Sequence, residues 1–244
     1  MQTFDPHRAV IPILRATKAP TISELLGTGF YTRVGGKLRV VTAKHVFEDN
    51  PLKANESYAY AFKEGNEIKI STISELNLFK NCDVAFFDPR ENHDAVPLPF
   101  AETLPPLNRD IICYEYSNTR IERQSSGGVH VSLQPFAHRG NVMQFIESEL
   151  PPYVSSPCLV VSFAALRGAS GAPVISNTDK KNFYVAGMIV ANMGRHLMPA
   201  QIEKYSSADG GTEQVSYYLP LGLAINGRVL RSELRTIGEI EYVA

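Results

Sequence analysis

Three residues of this chain could together activate a hydroxyl nucleophile: His45, Asp83 and Ser170. A serine hydroxyl attacks a carbonyl only when a base takes its proton, and an imidazole that titrates near neutrality can take and return that proton. A carboxylate beside the imidazole fixes its tautomer and stabilises its charged form. Each residue alone also fits an ordinary structural role, so the hypothesis rests on the three together.

Ser170 lies in a segment of small residues, GASGAPV at 168–174. Glycines on both sides of the serine allow a tight turn that points successive N–H groups inward. The N–H groups of Gly168 and Ser170 could then hold the oxyanion that forms when the hydroxyl attacks. The alternative is a Gly-Ser turn that leads into the next strand.

His45 and Asp83 both lie next to apolar runs. His45 ends the segment VVTAKH at 40–45, where a β-branched strand gives way to a short turn. Asp83 precedes Val84–Phe87 and therefore lies at the edge of burial, where an unpaired carboxylate costs several kcal/mol. A histidine N–H is a suitable partner for it. The alternatives are a histidine at a helix start and an aspartate that caps a strand.

The elements that must position these residues are short strands rich in Val, Ile, Phe and Tyr, separated by turn residues, which indicate an all-β chain. Gly35 and Gly36 predict a two-residue hairpin. Helical spacing predicts a short C-terminal helix over Arg228–Arg235. The predicted strands are Val10–Leu14, Thr28–Val34, Lys37–Val41, Tyr58–Phe62, Glu67–Ser71, Val84–Phe87, Ile111–Tyr116, Val129–Leu133, Asn141–Ile146, Leu159–Phe163, Ala172–Ser176, Tyr184–Ala191 and Ser216–Leu223.

A proline-rich segment, Pro97–Leu107, divides the predicted strands into two groups, because proline cannot donate to a central sheet ladder. The segment separates six predicted strands from seven, and we therefore predict two β-barrels within one domain. Residues 1–100 would carry His45 and Asp83, and residues 101–244 would carry Ser170 and the C-terminal helix. The site would lie in the cleft between the barrels.

The composition argues against several functions. The 244 residues include 24 Lys and Arg and 25 Asp and Glu, so the chain has no excess of basic residues that would favour binding to nucleic acid or to an anionic membrane. No apolar run approaches the roughly 20 residues of a membrane helix. The widely spaced Cys82, Cys113 and Cys158 suit neither a disulfide framework nor a zinc site, and we expect free, buried thiols. Together with an N-terminus unlike a secretory signal, they favour a cytoplasmic setting.

The chain resembles a trypsin-like (chymotrypsin-fold) serine peptidase of the compact bacterial or HtrA-like type. Four segments are similar to family motifs and occur in the family's His, Asp, Ser order. The resemblance implies a chymotrypsin-like double barrel, with two six-stranded antiparallel β-barrels. It also implies an acyl-enzyme intermediate and a protein or peptide substrate, with no metal and no cofactor. The four segments are GTGF (27–30), VVTAKHV (40–46), CDVA (82–85) and GASGAPV (168–174).

The same resemblance implies roles for individual residues. His45 would be the general base, Asp83 its orienting carboxylate and Ser170 the nucleophile. The backbone N–H groups of Gly168 and Ser170 would form the oxyanion hole.

The resemblance also implies where the substrate binds. The base of the main specificity pocket maps near Ala164 and Ala165, where no acidic residue occurs. We therefore expect the pocket to accept a small or apolar side chain of the substrate. The strand that pairs with the substrate backbone maps to Val190, Ala191 and Asn192.

One departure from the family bears on regulation. Ala169 stands where zymogen-type members carry an aspartate, so removal of a propeptide is not the expected trigger. We expect instead either a narrow substrate choice or gating by a regulatory protein partner, as in a bacterial defence or stress effector.

Two alternatives to a peptidase remain. A catalytically silent, peptide-binding pseudoprotease would keep the cleft without turnover. An α/β-hydrolase esterase is disfavoured, because GASGA lacks the last glycine of G-x-S-x-G and only His196 follows the serine.

Overall fold

A computed structural model gives the fold of the chain. The residues that it describes contain three short helices, α1 (Pro6–Ala9), α2 (His45–Glu48) and α3 (Gly227–Arg235). In the part of the chain that it describes, no helix is long and apolar enough to cross a membrane. The described residues are 5–17, 21–90, 94–123, 129–148, 151, 154–177, 183–196, 205–206, 212–213, 218–240 and 242–243.

The first seven strands form one antiparallel sheet in the order β5-β4-β1-β2-β3-β7-β6. Gly35 and Gly36 join β2 to β3 with φ of 61° and 73°, the left-handed values that a tight hairpin turn needs, which confirms the predicted hairpin. The strands are β1 (Val10–Thr17), β2 (Ile22–Val34), β3 (Lys37–Thr42), β4 (Glu56–Glu64), β5 (Glu67–Thr72), β6 (Asn77–Leu78) and β7 (Ala85–Phe87).

The later strands form a second large sheet and two small hairpins, β10-β11 and β16-β17. The large sheet has the order β14-β9-β12-β13-β18-β15-β8-β19, and an additional pairing of β14 with β15 closes six of its strands into a barrel. The strands are β8 (Phe100–Ala101), β9 (Asp110–Glu115), β10 (Arg120–Arg123), β11 (Val129–Ser132), β12 (Phe136–Ile146), β13 (Cys158–Val161), β14 (Pro173–Asn177), β15 (Phe183–His196), β16 (Tyr205–Ser206), β17 (Thr212–Glu213), β18 (Tyr218–Asn226) and β19 (Tyr242–Val243).

This architecture confirms the predicted all-β, chymotrypsin-like fold class with a short C-terminal helix. The second sheet contains the six-stranded barrel. The first sheet has seven strands, because the two-residue strand β6 pairs with β7 at its edge. The start of the strand predicted at Ser216–Leu223 lies outside the described residues. The division of the domain near residue 100 stays a prediction.

Helix α3 supports the half of the fold that carries His45 and Asp83. The side chain of Asn226 caps it by accepting a hydrogen bond from a backbone N–H of its first turn at 3.0 Å. Leu230 and Leu234 lie one turn apart and are fully buried. Both pack in the main core together with the apolar residues that directly follow His45 and Asp83.

Candidate active site

His45 is the first residue of α2, and only Ala43 and Lys44 separate it from the end of β3. The next two residues, Val46 and Phe47, are buried in the main core and anchor the short helix beneath the ring. The carbonyl of His45 accepts a hydrogen bond from the N–H of Asp49 at 3.0 Å, which closes the helical turn. The backbone under the imidazole is therefore fixed by burial and by the turn.

Asp83 lies beside His45 because β3 and β7 are paired neighbours. The carboxylate contacts His45 at two points. Its Oδ1 accepts from the His45 backbone N–H at 2.8 Å, and its Oδ2 lies 2.6 Å from His45 Nδ1. An ionised carboxylate can only accept hydrogen bonds, so Nδ1 carries the ring proton. This leaves Nε2 as the acceptor on the opposite side of the ring.

Ser170 reaches that acceptor from the turn that precedes β14 of the second sheet. Its Oγ lies 2.8 Å from His45 Nε2, so the hydroxyl donates to the ring nitrogen. The three residues singled out in the sequence thus form one continuous chain of hydrogen bonds across the interface between the two large sheets. The arrangement has the geometry required to transfer a proton from the hydroxyl to the imidazole.

The glycine that follows the nucleophile is required by space as well as by backbone conformation. Gly171 has φ of 88°, which L side chains rarely adopt. A Cβ there would lie 2.1 Å from the Thr28 carbonyl oxygen and 2.2 Å from Thr42 Oγ1. Strands β2 and β3 therefore press directly against the turn that presents Ser170.

The N–H groups predicted to form an oxyanion hole lie on either side of Ala169. The neighbouring N–H groups already have partners within the protein. Ala169 N–H donates to Leu166 O at 2.9 Å, and Gly171 N–H donates to Ile189 O at 2.8 Å. Within the described part of the chain, the N–H groups of Gly168 and Ser170 donate to no protein acceptor. Both are therefore available to a ligand oxygen.

Thr28 holds the turn around Ser170 in place, although in the sequence it stands out only as part of the GTGF segment. Its N–H donates to Ser170 O at 2.9 Å, and its Oγ1 donates to Gly168 O at 2.8 Å. The same Oγ1 accepts from the Tyr116 N–H at 3.2 Å. One fully buried side chain thus joins β2, the end of β9 and the turn around Ser170. A buried hydroxyl within an apolar strand needs hydrogen-bond partners. The threonine that begins the predicted strand Thr28–Val34 is therefore the one sign in the sequence of such a contact.

Replacing Thr28 with valine is expected to lower kcat about 10-fold and stability by about 1–3 kcal/mol, because Gly168 O and the Tyr116 N–H lose a buried partner. Thr32→Val is the matched control, since Thr32 is also buried in β2 and donates to Leu98 O at 2.9 Å. The control should lose similar stability, measured by denaturant unfolding, and keep kcat. Equal kcat values in the two variants would contradict the positioning role.

The surroundings of His45 favour its protonated form. Burial lowers the pKa of His45, but the hydrogen bond and charge of Asp83, together with the charges of Asp49 and Glu48, outweigh burial and raise the pKa above its ordinary value. A general base must be neutral to accept a proton. We therefore expect activity to be lost as the pH falls through this raised pKa.

Replacing Asp49 with asparagine is expected to move the acidic limb of the kcat/KM profile to lower pH. The variant removes one negative charge that favours the imidazolium, so His45 stays neutral at lower pH. Because Asp49 also lines a cleft beside the imidazole, each profile is normalised to its own plateau at higher pH before the limbs are compared. Glu102→Gln removes one charge from an exposed residue that does not act on His45, and it should leave the profile in place. A shift to higher pH in Asp49→Asn would contradict this electrostatic account.

A cleft of about 590 Å³ lies beside the imidazole. Two of the predicted substrate-binding residues, Val190 and Ala191, form part of its wall. Hydrogen bonds between the Ser170 turn and β15 end at Ile189, which donates to Ala172 O and accepts from Gly171 N–H. The other lining residues are Lys44, His45, Glu48, Asp49, Asp83, Val154 and Ser155.

The remaining predicted substrate-binding residues lie together, beyond the cleft wall. The side-chain amide of Asn192 forms two hydrogen bonds with the backbone of Ala165. Ala164 is the half-buried neighbour of Ala165 in the segment that leads to Ser170.

The three cysteines are free and buried, as predicted. Burial raises the pKa of Cys82 and of Cys158 to about 12, and that of Cys113 well above its ordinary value. Their thiolates are therefore scarce at neutral pH, and none of the three has the low pKa of a nucleophilic cysteine.

The family model of the trypsin-like peptidase domain matches residues 27–185, more than half of the chain. The chain belongs to the trypsin-like peptidase family. The matched region contains His45, Asp83 and Ser170. Membership makes the peptidase a hydrolase that acts on peptide bonds.

Solved structures of two bacterial proteases share the fold of the peptidase. The active form of the Rv3671c protease from M. tuberculosis has a TM-score of 0.58 and 17% identity, covering 98% of this chain and 84% of that chain. Its inactive form has a TM-score of 0.55 and 17% identity, covering 96% and 90%.

The apo MamO protease domain from Magnetospirillum magneticum has a TM-score of 0.55 and 12% identity, covering 92% of the peptidase and 95% of that chain. No curated protein matches the peptidase in sequence. At such identities, the structural likeness supports the fold, and the function must be argued from the site.

Proposed function

We propose that the peptidase is a serine endopeptidase in which His45, Asp83 and Ser170 are the catalytic triad. One observation carries this proposal: the hydrogen-bond chain that runs from Asp83 through the His45 ring to Ser170 Oγ, with distances of 2.6 and 2.8 Å. A hydroxyl that already donates to a neutral imidazole is prepared for attack on a carbonyl.

In the proposed reaction, Ser170 Oγ attacks the scissile carbonyl carbon while its proton passes to His45 Nε2. Asp83 stabilises the imidazolium that results. The N–H groups of Gly168 and Ser170 hold the oxyanion of the tetrahedral intermediate. His45 then gives its proton to the leaving amine as the peptide bond breaks, which leaves an acyl-enzyme. A water molecule resolves the acyl-enzyme by the same proton route.

The proposed substrate binds as an extended strand along β15 at Val190–Asn192. The edge of β15 beyond Ile189 supports this, because the bonds to the Ser170 turn stop at that residue. Main-chain hydrogen bonds would give affinity, and the cleft beside His45 would receive side chains. The bond to be cleaved then lies over Ser170.

We further propose that a protein partner gates the peptidase or that its substrate choice is narrow, as in a bacterial defence or stress effector. Ala169 supports this proposal, because it is 1% exposed and offers no carboxylate to pair with a newly formed N-terminus. The purified chain alone should therefore digest casein poorly, as measured by release of acid-soluble peptides. Rapid digestion of casein by the purified chain without a partner would contradict both gating by a partner and a narrow choice of substrate.

Mapping of new protein N-termini in cells that express the parent or Ser170→Ala tests the proposed activity. The parent should generate N-termini that the variant lacks. Ser176→Ala is the matched control, because Ser176 is a buried serine of β14 whose Oγ bonds to Asp110 O. The control should reproduce the parent's cleavages. Identical N-termini from the parent and Ser170→Ala would contradict the proposal and support the silent, peptide-binding alternative.

A further inference from the structure

We propose that Asn192 closes the main specificity pocket and restricts the residue before the scissile bond to glycine or alanine. This inference rests on the proposed endopeptidase function, and it concerns the choice of substrate at the same site. It assigns the selection to one side chain of the peptidase, located where the substrate's own side chain would otherwise enter.

The evidence is a pair of short hydrogen bonds between two segments that the family resemblance assigns to the walls of the specificity pocket. Ala165 N–H donates to Asn192 Oδ1 at 2.7 Å, and Asn192 Nδ2 donates to Ala165 O at 2.7 Å. A single side-chain amide therefore connects β15 to the segment that precedes Ser170.

A third wall meets the same segment. Gly222 of β18 pairs with Asn192 in the sheet, and its N–H donates to Phe163 O at 2.6 Å. A Cβ at Gly222 would lie only 2.8 Å from that oxygen. The backbone from Phe163 to Ala165 is thus bonded both to β18 and to the Asn192 side chain, which leaves it little freedom to move outward.

We call the two hydrogen bonds between Asn192 and Ala165 the clamp. The clamp discriminates between substrates by the size of the side chain before the scissile bond. Glycine or alanine before the scissile bond can lie over the Asn192 amide and leave both bonds intact. A larger side chain must push the amide aside and cover the N–H and carbonyl of Ala165, which then lose their partners out of reach of water. A buried polar group without a partner is costly, so such substrates should react slowly.

Selection by this clamp can be measured with peptidyl diphenyl phosphonates, which modify an active serine and differ here only in the residue next to the phosphorus. The parent should react with the alanine compound about 100-fold faster than with the phenylalanine compound. Asn192→Ala should reduce this ratio about 10-fold or more, chiefly through faster reaction with the phenylalanine compound.

Asn141→Ala is the matched control. Asn141 is a half-buried asparagine whose side chain also forms two hydrogen bonds, to Asn108 O and Asp110 Oδ1, but it lies on β12. The control should keep the ratio of the parent. A parent that reacts fastest with the phenylalanine compound, or a ratio unchanged in Asn192→Ala, would overturn the inference.

A fluorophosphonate without a peptide separates the two proposals. It reports the reactivity of Ser170 and makes no use of the pocket, and it should label the parent and Asn192→Ala at similar rates. Normal labelling with an unchanged phosphonate ratio would overturn the role of Asn192 alone. Failure to label Ser170 in the parent would overturn the endopeptidase proposal, and the inference with it.

Discussion

Replacing Ser170 with alanine is expected to lower kcat on the order of 10⁴-fold or more, and replacing His45 as well is expected to lower it no further. The expectation follows from the single chain of hydrogen bonds that joins them, with Oγ and Nε2 2.8 Å apart. A base without its nucleophile, or a nucleophile without its base, contributes nothing to attack. The measurement is kcat for the parent, both single variants and the double variant on one peptide substrate.

Unfolding curves of the same four proteins serve as the control for this cycle. Ser170 and His45 are only partly buried, so each variant should remain folded. Residual activity should come from the N–H groups of Gly168 and position 170, which the substitutions leave in place. Losses that multiply in the double variant would show that the two residues act independently, contrary to the proposed triad.

Replacing Asp83 with asparagine is expected to lower kcat about 10⁴-fold while the fold is kept. The two contacts of Asp83 explain why. The His45 backbone N–H can only donate, so the amide oxygen of an asparagine must face it at the position of Oδ1. The NH₂ group then faces Nδ1, which must become an acceptor, and the ring proton moves to Nε2. Nε2 can then no longer accept the proton of Ser170.

Asp88→Asn is the matched control for Asp83→Asn. Asp88 directly follows β7, as Asp83 lies just before it, and its carboxylate pairs with Arg39 at 3.0 Å. The control should keep kcat in a peptide hydrolysis assay. If Asp83→Asn retained more than about a tenth of the parent's kcat, the proposed tautomer control by Asp83 would be wrong.

The fold class could be predicted because its signals are local, and the three central residues could be predicted because three local segments occur together in one order along the chain. Apolar runs with turn residues predict strands, and Gly35-Gly36 predicts the hairpin that the structure contains. The small residues around Ser170 indicate a tight turn, and the structure places a left-handed glycine there at Gly171. Each of these signals is readable within about ten residues of sequence.

The supporting contacts could not be predicted in the same way, because they join residues that are distant in sequence. Thr28 bonds to Gly168, which lies 140 residues later in the sequence, and Asn192 of β15 bonds to Ala165, which lies 27 residues earlier. Neither partner carries a side chain that would reveal the bond, since both contribute backbone atoms only. The two-residue strand β6 is too short to produce a periodic signal.

Labelling of the purified peptidase with a fluorophosphonate, followed by mass spectrometry of the modified peptide, is the most direct test of the proposed triad. Ser170 should be covalently modified in the parent, and this modification should be lost in His45→Ala. An unmodified Ser170 in the folded parent, or modification of His45→Ala at the parent's rate, would contradict the proposed triad.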